Sequence, residues 1–307
     1  MKKIWKNSAP SNIALVKYMG KEAGNVATNP SVSMTLEDFR TFVEIEPLPG
    51  ETHDRWEPLP DHPPLKAGST DRFLRFFGKL KADAGVDGSF LLRSGNNFPS
   101  DAGLASSASS FAALTRTAWD AFSDLTGKPV PPSGILARES RAGSGSSCRS
   151  FFSPWCSWNG DEIQAVPSRL PRLVDLVVVA AGDFKKVSSS EAHLRVQTSP
   201  LFRSRAERAG TRWRDALDAI AAGDFRRTAE ISWAELWDMH SLFHTSEPPF
   251  FYFAPLTVAV LRLVEELWEK NGTAPIATID AGPNVHLLIP EEEAATLRLE
   301  LESRLPA

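Results

Sequence analysis

Cysteine is scarce in this chain of 307 residues: only Cys148 and Cys156 occur. No disulfide framework can stabilise the fold, and two packed thiols suit a reducing compartment. Long apolar runs are missing too. The longest, Leu173 to Ala181, carries Asp175 and falls far short of the roughly 20 residues needed to span a bilayer, so it reads as a buried strand. A basic excess is also lacking: 34 Lys and Arg face 38 Asp and Glu, for a formal net charge of -4. General nucleic-acid binding is thereby disfavoured, while a local basic pocket stays open. Near the N-terminus, Lys2, Lys3 and Lys6 are followed by Pro10, Asn12 and Lys17 instead of an apolar segment. No secretory leader is expected, and the protein is expected to be cytoplasmic.

What is present reads as two domains of α+β type, given about 150 residues per domain as a guide. Extended segments are expected at Ser31–Leu36 and Thr41–Ile45, where apolar alternation or strand formers dominate. Prolines from Pro47 to Pro64 exclude a central strand or helix there and leave a surface excursion. Asp71–Ala82 has a helical apolar face through Phe73, Leu74, Phe77 and Leu80, and Ser89–Arg93 resembles a strand. Further along, helical patterning covers Ser204–Ala222, Arg226–Phe243 and Leu256–Asn271. Ile276–Ile279 and Val285–Ile289 read as short strands, and Lys185–Ser190 as a polar loop. The domain boundary is placed near Gly182, giving units of residues 1–182 and 183–307.

The segment from Asn96 to Ala108 is rich in small residues and runs into a helix marked by Phe111, Leu114, Ala118 and Phe122. The first N–H groups of a helix lack intrahelical partners, and with the macrodipole they attract anions. Gly103 and Ala105 keep the backbone accessible, while Ser106 and Ser107 add hydroxyls. Local composition leaves two readings open, a phosphate loop or a serine-rich helix cap. The Gly-Lys-Ser/Thr ending of the common P-loop is missing.

Pro99-Ser100-Asp101-Ala102-Gly103-Leu104-Ala105-Ser106-Ser107-Ala108 resembles the phosphate loop of the GHMP kinase superfamily. Three other segments narrow the likeness to the mevalonate diphosphate decarboxylase family. Ala9-Pro10-Ser11-Asn12-Ile13-Ala14-Leu15-Val16-Lys17-Tyr18-Met19-Gly20-Lys21 is similar to its opening Ala-Pro-x-Asn-Ile-Ala-x-x-Lys-Tyr-Trp-Gly-Lys. Gly143-Ser144-Gly145-Ser146-Ser147-Cys148-Arg149-Ser150 resembles Gly-Ser-Gly-Ser-Ala-Cys-Arg-Ser, and Asp280-Ala281-Gly282-Pro283-Asn284 matches Asp-Ala-Gly-Pro-Asn. Weaker likeness extends over Thr28–Leu36, Lys185–Ser190 and Pro248–Tyr252.

The resemblance implies a GHMP kinase fold, with a ribosomal protein S5 domain 2-like N-terminal domain and a ferredoxin-like C-terminal domain. The active site would lie in the cleft between them. It implies an ATP- and magnesium-dependent enzyme that phosphorylates the tertiary hydroxyl of mevalonate 5-diphosphate and releases carbon dioxide, ADP, phosphate and isopentenyl diphosphate, in isoprenoid synthesis. Asp280 would be the catalytic base, with Lys17 against it, and Arg149 and Ser107 would complete the catalytic set. Asn12, Tyr18, Lys21, Ser144, Ser146 and Arg149 would bind substrate, with Asn12 orienting Arg149 or the substrate carboxylate. Asn97, Gly103, Leu104, Ala105, Ser106, Ser107 and Ala108 would cradle ATP, and Ser107 would ligate the metal. The family also implies a homodimer, with no nucleic-acid or membrane partner.

Taken singly, Asp280 reads more readily as a turn aspartate bonding its own backbone than as a base, and Lys17, Lys21 and Arg149 more readily as solvated surface charges. Met19 departs from the family's tryptophan; methionine fills an apolar gap without changing charge. That departure keeps related activities in view: a mevalonate 3-kinase, a phosphomevalonate decarboxylase, or a silent metabolite-binding homologue. His240 and His244 have the i, i+4 spacing of a metal pair, but no His-Glu-x-x-His pattern accompanies them, and ordinary packing or surface placement is expected. His286 reads as a satisfied core histidine. Arg203, Arg205, Arg208, Arg212 and Arg214 read as a solvated helix face, and Trp119, Trp155, Trp233 and Trp237 as core or interface aromatics. Lys185 and Lys186 read either as approaching nucleotide phosphates or as part of a surface loop.

Overall fold

Strand β1 (Trp5–Val16) runs antiparallel to the long strand β2 (Ser31–Pro47). A computed structural model of the protein describes residues 3–22, 25–65, 68–99, 106–180 and 186–305. The two extended segments expected between Ser31 and Ile45 are halves of this one strand. The register between β1 and β2 breaks opposite Pro10 and Ser11, where residues 37–39 bulge out; a proline with no N–H to give is tolerated at such a break. Beyond β1, β2 pairs antiparallel with β5 (Trp155–Asn159) through Ser31–Met34 and with β4 (Phe90–Asn96) through Thr41–Pro47. β6 (Glu162–Ala165) extends one side of the sheet.

The proline-rich excursion also contributes a strand. β3 (Arg55–Pro58) lies parallel to β4 at the sheet's edge, which is where proline can sit without breaking a ladder. On one face of this sheet pack α1 (Ser69–Ala84), α2 (Ser106–Thr126) and α3 (Ser133–Arg141). Phe73, Phe77 and Leu80 are buried as expected from α1's pattern, joined by Phe76. Burial nearly encircles the first four turns of α2, and its Thr115 and Thr117 hydroxyls donate back to Phe111 O and Ala113 O at 2.8 Å. A helix buried this way can hold a fixed N-terminus against a ligand.

A second sheet has the order β7 (Leu173–Val178), β9 (Val285–Pro290), β8 (Ile276–Thr278), all antiparallel, and comprises three strands among the described residues. β7 lies on the N-terminal side of the boundary expected near Gly182, yet it belongs to this second sheet. It is an edge strand, half-buried throughout and not the fully buried strand expected. Around the sheet stand α4 (Ser189–Arg195), α5 (Arg205–Ala222), α6 (Phe225–Thr245), α7 (Pro255–Asn271) and α8 (Ala294–Arg304). α4 begins at Ser189, at the end of the expected polar loop, and runs beyond it. Ile13, Leu15, Val32 and Met34 of the first sheet share a core with Ala216 and Ile220 of α5, Ile276 and Leu288. The two sheets are thus joined through β1, and Thr278 Oγ1 donates to Ala14 O at 2.8 Å. No helix among the described residues is long and apolar enough to cross a membrane.

Candidate active site

Lys17 leaves the end of β1, and Asp280 opens the turn after β8. Their side chains meet, Lys17 Nζ donating to Asp280 Oδ1 at 2.5 Å. The turn is held from both ends: Gly282 N donates to Asp280 O at 2.8 Å, and Thr257 Oγ1 of α7 to Pro283 O at 2.6 Å. The Asp280 carboxylate therefore binds a lysine from the other end of the chain and does not serve as the cap of its own turn. Lys17 is almost fully buried, while the Asp280 side chain keeps 31% of its surface open. Burial works to raise the Asp280 pKa, but Lys17, helped by His286 and Arg149, more than reverses it and leaves the carboxyl below its ordinary range. Burial lowers the Lys17 pKa, with Asp280 and Glu235 opposing.

A cavity of about 360 Å³ opens at this pair. Its walls bring together Lys17, Tyr18, Lys21, Ser106, Ser107, Ser144, Ser146, Arg149 and Asp280, residues expected from four distant segments. Arg149 lies on a 3-10 helix (Gly145–Phe151) and is buried; its Nε donates to Asn12 Oδ1 at 3.2 Å and its Nη1 to Ser31 Oγ at 2.9 Å. Asn12 is fixed in turn, its Nδ2 donating to Ser150 Oγ at 2.9 Å. Ser107 Oγ lies 3.2 Å from Ser144 Oγ, which lies 3.5 Å from Ser146 Oγ. Lys21 Nζ donates to Asn25 Oδ1 at 3.2 Å. The Tyr18 hydroxyl is buried without a hydrogen-bond partner, and its ring packs on Trp158 with centroids 4.9 Å apart. A Cβ on Gly145 would stand 2.6 Å from Tyr18 Cε1, so only glycine admits the ring there. Met19 is buried with Val187, Ala192, Met239 and Ala281, filling the apolar wall beside the site.

A second cavity, of about 720 Å³, lies beyond Ser106 and Ser107 and is walled by residues including Phe73, Asn97, Phe98 and Phe111. Ser106, Ser107 and Arg72 line both cavities. Asn97, in the wall of this second cavity, is also bonded within the fold: its Oδ1 accepts from Arg40 N and its Nδ2 donates to Asp38 O, both at 2.7 Å. The side chain clasps the bulge of β2, so both its polar ends are engaged. Ala108 is fully buried in α2. Gly103, Leu104 and Ala105, with Lys185 and Gly182, lie outside the described residues. Lys186 is exposed and absent from the wall of either cavity.

The expected solvated arginine face is corrected in part. Arg203 and Arg214 are exposed, but Arg205 is buried, with its Nη1 donating to Glu235 Oε2 at 3.0 Å and its Nη2 to Lys17 O at 3.0 Å. Arg208 and Arg212 complete a network around Asp238 and Glu235. Charge spacing on α5 looked like a surface pattern because its acidic partners sit on α6. Arg72, Asn25 and His193, which also line the first cavity, lie outside every recognisable motif. His240 is buried against Phe243 and Phe253, in line with ordinary packing. His286 is buried with its Nδ1 2.7 Å from Asp175 Oδ2; burial opposes its charge, yet Asp175 and Asp280 raise its pKa overall. It is an ion-paired histidine, more than a neutral core residue. Both cysteines are buried free thiols. Of the tryptophans, Trp155 is buried and Trp237 is 38% exposed.

Residues 9–166 match the model of the diphosphomevalonate decarboxylase-like N-terminal domain, and residues 175–307 that of the mevalonate 5-diphosphate decarboxylase C-terminal domain. The diphosphomevalonate decarboxylase of Gibberella zeae is 34% identical over 94% of this chain and 81% of its own. A mevalonate diphosphate decarboxylase structure from Legionella pneumophila superposes with a TM-score of 0.91 at 40% identity, covering 99% of each chain. A structure named MDDEF, in complex with MVAPP, AMPPCP and magnesium, gives a TM-score of 0.87 at 29% identity, covering 99% of this chain and 94% of that one. These likenesses show the two-domain α+β architecture of the GHMP kinase type.

Proposed function

This chain belongs to the diphosphomevalonate decarboxylase family, and from that premise we propose that its cavity carries out the ATP-dependent decarboxylation of mevalonate 5-diphosphate. The products are isopentenyl diphosphate, carbon dioxide, ADP and phosphate. The observation that carries this reading is the Lys17–Asp280 pair, a half-open carboxylate set on a buried ammonium at the mouth of a cationic cavity.

An ionised Asp280 can hydrogen-bond the tertiary hydroxyl and take its proton as the oxygen is phosphorylated. A carboxylate with a depressed pKa is a weak base, which suits a transfer governed by positioning and charge. Lys17 fixes its orientation. Arg149, locked by Asn12 and Ser31, offers a planar fork to carboxylate or phosphate oxygens, and Tyr18 and Lys21 offer donors to the diphosphate. The orphaned Tyr18 hydroxyl gains a partner when an anion enters. Ser106 and Ser107, with the first amides of α2, face ATP phosphates, and the larger cavity behind them takes the nucleotide. Asp280 then passes that proton to solvent through its open face, and as phosphate leaves and positive charge grows at the tertiary carbon, the regenerated carboxylate stabilises it.

Among the described residues no group of three or more His, Cys, Asp or Glu is placed to hold a metal ion. Ser107, which lines both cavities, would be the side-chain ligand of a magnesium ion, an ion that binds largely through substrate phosphates and water. Bound there, it would supply neutralisation of phosphate charge. We divide the chain between β6 and β7 and not near Gly182, because β7 joins the second sheet. A cytoplasmic location suits the two free thiols, and a homodimer is carried over from the family.

The test is a coupled assay offering mevalonate, its 5-phosphate and its 5-diphosphate, scored for both ADP and carbon dioxide. Turnover of the diphosphate with both products is expected, and Asp280→Asn should lower kcat by about 10²–10⁴-fold while substrate still binds. ADP without carbon dioxide, preference for the monophosphate, or near-normal turnover by the variant would overturn the assignment.

A further inference from the structure

One cavity side chain is held in a single hydrogen-bonding state by a contact that packing alone does not require. His193, on α4, accepts a hydrogen bond at Nδ1 from Gly20 N at 3.1 Å. With Nδ1 as acceptor, the ring's proton sits on Nε2, which makes Nε2–H a donor. Gly20 has φ +95, and a Cβ there would lie 2.6 Å from both Phe202 and Thr28. The backbone bearing this N–H is therefore set by a glycine that no other residue replaces without strain. The His193 ring lies on Tyr18, centroids 4.3 Å apart, and lines the cavity beside Lys21.

We propose that His193 is a specificity-determining residue for the phosphate end of the substrate, its Nε2–H donating to a non-bridging phosphate oxygen in the corner formed with Tyr18 and Lys21. This rests on the reading of the cavity as a mevalonate diphosphate site. The chemistry suits the surroundings. Lys17, Lys21, Arg72 and Arg149 already supply positive charge to the same walls, and a further cation would repel them. A neutral imidazole adds directional recognition without that repulsion. Burial, then Lys21 and Arg149, depress the His193 pKa to about 3, which keeps the ring neutral.

Two substitutions separate a donor from a packing role. His193→Asn keeps an acceptor near the Nδ1 position for Gly20 N but loses the far donor; His193→Gln returns an amide N–H near the Nε2 position. If His193 binds phosphate, the Asn variant raises KM for mevalonate 5-diphosphate and the Kd for inorganic pyrophosphate by about tenfold, leaving KM for ATP near wild type. The Gln variant recovers most of the loss. Wild-type pyrophosphate affinity in the Asn variant, or equal impairment of Asn and Gln variants, would overturn the proposal. So would a ¹⁵N spectrum in which the Nε2 resonance of His193 in the unaltered protein ignores added pyrophosphate, a measurement that needs no variant to fold. Failure of the parent reading looks different: the unaltered protein would release no carbon dioxide from the diphosphate, whatever its pyrophosphate affinity.

Discussion

Glu235, fully buried on α6, accepts the backbone N–H of Lys17 through Oε1 at 3.0 Å, so the lysine that reaches Asp280 is anchored from the second half of the chain. The same carboxylate binds Arg205, whose other nitrogen donates to Lys17 O. Both main-chain polar groups of Lys17 are thereby fixed by one buried ion pair.

Glu235→Gln breaks that pair from one side. Arg205 keeps its ion pair with Asp238, so the cost should fall below the about 3–5 kcal/mol of a buried charge left with no partner, read as a lower unfolding midpoint. Glu235 also helps keep Lys17 charged. The alkaline limb of the kcat profile, lying below the ordinary lysine value of about 10.4, should move further down in the variant. An unchanged limb with an unchanged midpoint would contradict this account.

Arg149→Lys retains the charge and loses the fork. An ammonium cannot hold both Asn12 Oδ1 and Ser31 Oγ while facing the substrate, so kcat/KM for the diphosphate should fall about ten- to hundredfold, the worth of a charge-assisted hydrogen bond. Steady-state kinetics with ATP saturating would check it.

Gly145→Ala places a methyl group 2.6 Å from the Tyr18 ring. Displacing a packed ring costs about 1–3 kcal/mol, and KM for substrate should rise with it. Gly134→Ala is the control: nothing lies within 4 Å of its added Cβ. In the helix α3 it should be neutral or stabilising by up to about 1 kcal/mol.

Acid should weaken the fold through His240. Burial, then Lys17 and His244, depress its pKa to about 3, whereas the unfolded chain takes up the proton near 6.5. Below about pH 6.5 the unfolded state binds more protons, so stability falls by about 1.4 kcal/mol per pH unit from this one group until pH nears 3. Denaturant midpoints at pH 7, 6 and 5 should drop accordingly, and His240→Leu should flatten that slope.

Much of the site was legible because its chemistry is written in contiguous words. The segments around Lys17, Ser107, Arg149 and Asp280 each leave a bland reading open taken singly, and it is their resemblance to four motifs of one family, in order, that points to a ligand. Their convergence on one cavity agrees with that reading. Amphipathic helices were legible for the same local reason: the buried face of α1 follows its sequence period. What escaped notice depends on partners distant in the chain. Arg205 looked solvated until α6 supplied Glu235 and Asp238. β3 hid among prolines because an edge strand needs few donors, and β7 gave no sign of which sheet it would join. His193 sits in no motif, and its significance comes from one backbone N–H of residue 20.

The serines that open α2 form part of a partition with a chamber on either side. A hydroxyl owns one proton. If Ser107 gives its proton to a nucleotide oxygen, the contact with Ser144 survives only with Ser144 as its donor. Filling one chamber therefore resets the polarity of the wall seen from the other, and the two guests are acquainted before any bond between them forms.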